Sequence, residues 1–183
     1  MHNEINDNLL IEMFKNSDSK NFAFNQIVLK YQERVYWHIR KMVINHDDAD
    51  DLVQESFIKI WNSLDKFRGE SSLYTWIYRI ATNEVLAFLK KQKSYNNVSL
   101  QDVESNLRNT LKQDIYFNGD DAQIKLQQAL ASLPPKQQLV FNMKYFDEMK
   151  YEEIAEILST SVGALKASYH IAVEKIKKYI NSI

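Results

Sequence analysis

The sequence predicts an all-α protein of two small helical domains joined by a linker, the C-terminal one a helix-turn-helix. Three observations carry this. Apolar residues recur at steps of three and four through most of the chain. Only 3 Gly and 2 Pro occur in 183 residues, too little turn chemistry for an all-β fold. The helical pattern then lapses once, from Ser94 to about Asp121, over a stretch too long for a structureless loop inside one compact domain.

The elements follow in order. A short opening helix is expected over Ile5 to Phe14. Phe24, Ile27, Val28, Tyr31, Val35, Ile39 and Met42 form one apolar stripe, and Leu52, Val53, Phe57, Ile60, Trp61 and Leu64 form a second. Leu73, Trp76, Ile77, Ile80, Ala81 and Phe88 form a third, on a helix that ends at Lys90-Lys91-Gln92-Lys93. Acids at 47–51 stand where the second of these helices begins, suiting its dipole and offering N-caps. After the lapse, Ile124 to Leu130 gives a short helix stopped by Leu133-Pro134-Pro135. Pro135 suits the first position of the next helix, which runs to about Tyr145 with Leu139, Val140 and Met143 inward. Tyr151 to Leu158 is followed by the break Ser159-Thr160-Ser161. A last helix then starts at Val162, with Leu165, Tyr169, Val173, Ile176 and Ile180 on one face. The domain boundaries read as 1–93, a linker over 94–122, and 123–183.

Composition narrows the chemistry. The absence of Cys excludes disulfides, thiolate metal sites and a Cys nucleophile. The start lacks a basic segment followed by an apolar run, and no apolar stretch approaches the ~18 residues of a membrane span. A cytoplasmic protein without membrane insertion is expected. The net charge of −1 conceals segregation. Asp47, Asp48, Asp50, Asp51 and Glu55 form an acidic block, while Lys66 to Lys93 and the chain after Val162 are basic. The acidic block lacks the Gly and alternating spacing of a calcium loop. His2, His38, His46 and His170 show no ligand spacing, and no phosphate loop or nucleophile motif occurs. No metal, cofactor or catalytic residue is expected, and so no enzyme.

Two segments can carry binding. Ile154, Ala155 and Leu158 face inward on a short helix before a three-residue turn and an amphipathic second helix. In a helix-turn-helix the second helix enters the major groove by its N-terminal end. With Val162, Leu165 and Tyr169 buried, Ser161, Gly163, Ala164, Lys166, Ala167 and His170 face the groove. A plain helical hairpin would show the same spacing. The second segment is Phe67 to Lys93, where aromatics alternate with bases as stacking platforms for unpaired nucleic acid do. Taken residue by residue, core packing is the stronger account of Leu73 and Trp76, since aromatics at helical spacing usually pack, and the Lys run then reads as a solvated helix end.

Asp48-Ala49-Asp50-Asp51-Leu52-Val53-Gln54-Glu55-Ser56-Phe57-Ile58-Lys59-Ile60-Trp61 resembles region 2.2 of the bacterial extracytoplasmic-function (ECF) sigma factors. Phe67-Arg68-Gly69-Glu70-Ser71-Ser72-Leu73-Tyr74-Thr75-Trp76-Ile77-Tyr78-Arg79-Ile80-Ala81-Thr82-Asn83 resembles their regions 2.3 and 2.4. Leu133 to Gln138, Tyr151 to Leu158 and Ser161 to Lys166 resemble region 4. The blocks stand in family order around a linker, over roughly 22–93 and 123–180. The resemblance implies an initiation factor that binds core RNA polymerase at the β′ clamp helices and the β flap. Asp51, Gln54 and Glu55 fall at the docking positions. Phe67, Gly69, Glu70, Ser71, Tyr74 and Asn83, with Arg79, Lys90 and Lys91 near phosphates, fall where the family captures the non-template strand of the −10 element and holds a flipped base. The groove-facing residues of the last helix would read the −35 duplex of promoter DNA, and an anti-sigma factor is the expected inhibitor.

The sequence departs from the family at two points. Arg is frequent where Lys166 and Ser168 stand, and Lys lacks the bidentate fork for guanine. Ser159 stands where Gly is frequent. Two other readings stay open from the residues alone: a helix-turn-helix regulator that never docks on polymerase, and a helical adaptor that binds only protein.

Overall fold

Asn6 opens the first helix by accepting a hydrogen bond from Asn8 N at 2.9 Å, so α1 (Asp7–Lys15) starts with a satisfied N–H. The computed structural model describes residues 5–43, 45–95 and 121–181. α2 (Lys20–Arg40) carries the first predicted stripe, with Ile27, Tyr31, Val35 and Ile39 buried. α1 is tied to α2 through Asp7, whose carboxylate accepts from Tyr31 Oη at 2.7 Å and pairs with Lys30 at 2.9 Å.

α3 (His46–Ser63) begins at the acidic block, but its N-cap is Asn45, which accepts from Asp47 N at 2.9 Å. The acids at 47 and 48 occupy the first turn, where they complement the dipole. Phe14, Phe24 and Trp61 join α1, α2 and α3 edge to face, with Trp61 centred 5.1 Å from Phe14 and 4.9 Å from Phe24. A 3-10 turn over Leu64–Lys66 leads to the 67–72 loop, and Ser72 Oγ caps α4 (Leu73–Tyr95) by accepting from Thr75 N at 3.0 Å.

In the second half, α5 (Asp121–Ala131), α6 (Pro135–Tyr145), α7 (Tyr151–Leu158) and α8 (Val162–Asn181) follow. Pro135 stands at the start of α6 as expected. α6 is buried on more than one face: Leu139, Val140 and Met143 are joined by Phe141 and Asn142. Glu153 closes the start of α7 by accepting from Lys150 N at 2.8 Å. Ser159 ends α7 at φ 49°, ψ 49°, the left-handed position that glycine fills without strain. Ser161 Oγ accepts from Ala164 N at 3.2 Å and starts α8.

The two-domain, all-helical organisation is the one the sequence predicts. α4 ends at Tyr95 and α5 begins at Asp121, and most of the expected linker, with its Leu100 to Leu111 segment, lies outside the described residues. Two inward assignments change. In α7, Ile154 and Ile157 are the fully buried residues, while Ala155 and Leu158 are half-buried. The reason is a second neighbour: α7 packs on α4 as well as on α8. Ile180 was expected on the buried face of α8 but is 40% exposed. Buried side chains from both halves, among them Ile77, Tyr78, Val85, Leu139, Met143, Ile157 and Leu165, belong to one contiguous apolar cluster.

Candidate nucleic-acid interface

The helix-turn-helix is built on Ile154, Ile157 and Leu165, each no more than 2% exposed, which lock α7 against α8. With that face committed to the core, all six expected groove-facing residues, Ser161, Gly163, Ala164, Lys166, Ala167 and His170, are exposed. Val162 and Tyr169 are half-buried, and Tyr169 stacks on Phe141 at 5.7 Å. The Lys166 ammonium lies 5.8 Å from the centre of the Tyr151 ring and remains accessible.

The acidic helix presents Asp51, Gln54 and Glu55 on one exposed face, with Ile58, itself 59% exposed, one turn on. Asp48 stands beside them. Partial burial, then the charges of Asp51 and Asp47, push its carboxyl above the usual range. A face whose acids repel one another suits a basic partner surface.

Five of the remaining expected contacts divide between two clefts. Phe67, Gly69 and Ser71 line a cleft of ≈ 520 Å³ between the 67–72 loop and α1, with Glu70 exposed in the same loop. Gly69 takes φ +73°, so the loop folds back where a side chain would be strained. The far wall is Asn8, Glu12 and Lys15 of α1, polar residues that no motif or spacing in the sequence marks as a site. Phe67 leans on Trp76 at 5.2 Å, while Leu73 is core at 2% exposure.

Arg79 and Asn83 lie elsewhere. They line a ≈ 410 Å³ cleft shared with Lys136, Ser159, Thr160, Ala164 and Ser168 of the second half. Tyr74 is half-buried against Tyr78 at 4.3 Å, and burial pushes both phenols up. Lys90 and Lys91 are exposed towards the end of α4. Among the described residues no helix is long and apolar enough to cross a membrane.

Residues 27–95 match the family model of sigma-70 region 2, and residues 123–176 match that of sigma-70, region 4. The chain is 30% identical to the ECF RNA polymerase sigma-E factor of Salmonella typhimurium (strain LT2), over all of this chain and 98% of the relative. The chain belongs to the ECF sigma factors. It is likewise 30% identical to the sigma-E factor of Haemophilus influenzae, over the full length of both, and 29% identical to that of Escherichia coli (strain K12). Two solved structures share its fold. CnrH in complex with the cytosolic domain of CnrY gives a TM-score of 0.67 at 22% identity, over 96% of this sigma factor and 97% of CnrH. The sigma factor RpoE in complex with the anti-sigma factor NepR from Bartonella quintana gives 0.64 at 21% identity, over 86% and 96%.

Proposed function

We propose that this sigma factor binds core RNA polymerase through Asp51, Gln54 and Glu55 on the β′ clamp helices and through its second half on the β flap, and so directs initiation at its promoters. Ser161, Gly163, Ala164, Lys166, Ala167 and His170 read the −35 duplex in the major groove. Phe67, Gly69, Glu70, Ser71 and Tyr74 capture the unpaired −10 strand, the α1 wall of the same cleft offering polar groups to a flipped base. Asn83 reads that strand further along, with Arg79, Lys90 and Lys91 on its phosphates. The mechanism is selective affinity for the melted state, with no catalytic step of its own. The two functional units are 1–93 and 123–183, with 94–122 between them, and the protein works in the cytoplasm.

The observation that carries this reading is the exposed row on α8, set beside a Leu165 that is 2% exposed. An anti-sigma factor is the expected regulator. RpoE of Bartonella quintana is described in complex with one, and that is the support for it. Run-off transcription with purified core polymerase and a promoter library tests the whole. Promoter-selective transcripts are expected from the parent and not from the Asp51→Ala/Gln54→Ala/Glu55→Ala variant. Duplex binding without any transcript would instead favour a regulator that never docks on polymerase. A folded protein that shows neither would be a protein-binding adaptor.

A further inference from the structure

The ≈ 410 Å³ cleft in the seam between the two halves is positively charged and incompletely satisfied. Arg79 of α4 and Lys136 of α6 both line it, and no Asp or Glu does. The cleft at α1 differs, since Asp7 and Glu12 stand there beside Lys15 and Arg68. Around the two cations are the Asn83 amide and the Thr160 and Ser168 hydroxyls. Among the described residues, neither these three groups nor the Lys136 ammonium has a hydrogen-bond partner in the protein.

Arg79 supplies an independent observation. Its Nη2 donates to the Glu156 carbonyl at 2.7 Å, while its Nε is buried without a hydrogen-bond partner among the described residues. A buried N–H with no acceptor costs free energy, and more so on a charged group. An anion against Arg79 removes that cost, because the guanidinium fork matches the spacing of phosphate oxygens.

The rest of the lining is apolar. Leu86 of α4, Val140 of α6, Leu158 of α7 and Leu165 of α8 face the same space. Inorganic phosphate alone would leave that surface uncovered. Small-molecule sites of ~300–1,000 Å³ combine apolar walls with a few placed polar groups in this way.

We propose that this cleft is a binding site for a small phosphomonoester with an apolar or aromatic body. The phosphate, which carries about −1.5 to −2 near neutral pH, matches the two cations and accepts from Asn83, Thr160 and Ser168. The body covers Leu86, Val140 and Leu165. The site goes beyond promoter binding and does not depend on it. A ligand held by α4, α6 and α8 together stabilises the folded chain whatever that chain does with DNA.

The probe is naphthyl phosphate, titrated into full-length protein by isothermal calorimetry and followed by two-dimensional amide NMR. One saturable site is expected, with shifts centred on the cleft, and the melting temperature should rise with probe concentration. Naphthol, which lacks the charge, and inorganic phosphate, which lacks the body, should each bind at least about tenfold more weakly. Lys136→Gln, at an exposed position outside the residues assigned to DNA and polymerase, should weaken the probe by at least about fivefold. Ser168→Val, which removes a donor and narrows the cleft, should do the same. Circular dichroism confirms that both variants are folded. No saturable binding at millimolar probe overturns the site. Equal affinity for parent and both variants, or shifts remote from the cleft, places the probe elsewhere and overturns it too. Naphthol binding as tightly as its phosphate would refute the role of the two cations. Inorganic phosphate doing so would leave an adventitious ion only.

Discussion

His38 and Thr82 share a hydrogen bond of 2.9 Å between Nε2 and Oγ1, at 2% and 1% exposure, joining α2 to α4. The Tyr78 ring packs over the imidazole at 4.9 Å, and the other ring nitrogen faces Asp147 across the seam. One buried side chain thus links the core of the first half to the closure of the second.

Thr82→Val keeps the shape and removes the hydroxyl, leaving a buried ring nitrogen without its partner. Urea denaturation should show a loss of about 1–3 kcal/mol, with Thr82→Ser recovering most of it. A change within error for Thr82→Val would mean that the bond contributes nothing net.

The contact of Asp147 with Lys41 across the seam should weaken in acid, as the carboxylate is protonated. Burial raises the Asp147 carboxyl, but the His38 ring and the Lys41 ammonium outweigh it and hold the group below its ordinary value near 3.8. Because the value in the folded protein is depressed, its contribution is fully present above that ordinary value and is lost as pH falls through the lowered one. Tyr74 and Tyr78 both feel the Asp147 charge, and Arg34 and Glu153 act on this tyrosine pair from beside it. An NMR titration placing Asp147 at or above its ordinary value would contradict the assignment.

Ser159→Gly should raise the melting temperature. A non-glycine residue in the left-handed region carries a cost of roughly 1–2 kcal/mol, partly offset by the greater freedom of glycine in the unfolded chain, so a net gain of about 0.5–1 kcal/mol is expected. Thermal unfolding decides it. A lower melting temperature would show that the serine makes a compensating contact.

Lys166→Ala should weaken duplex binding about equally across sequences if the ammonium meets phosphate, lowering the slope of log affinity against log salt by about 1. If it meets a guanine instead, the loss is confined to promoters that carry that base. An unchanged affinity at every salt concentration would remove Lys166 from the interface.

The stripes were legible because helical periodicity is a local property. Ile27, Val35, Ile39, Leu52, Ile60 and Ile77 are core, as their spacing requires. The groove face of α8 was legible for the same reason, since placing Leu165 inside leaves Lys166, Ala167 and His170 outside. Ile157 was not, because α7 also packs on α4, about 80 residues earlier, and no repeat within α7 encodes that second neighbour. Asn142 was not either. A polar residue on a helix reads as solvated until the groups that accept from its amide nitrogen, the Lys41 carbonyl and Met42 sulfur, are placed beside it.

From its sequence alone this sigma factor declares its helical class, its two halves, its acidic and basic faces and the residues of the recognition helix, since each depends on spacing or charge within a few turns. The tertiary structure decided that Phe67 and Gly69 face α1 while Arg79 and Asn83 face the other half. It also decided that Lys41 and Asp147, 106 residues apart, meet at the seam. Such pairings between polar groups distant in the chain leave no periodic trace. They exist only because apolar packing of α4 against α6 and α7 brings the groups within reach.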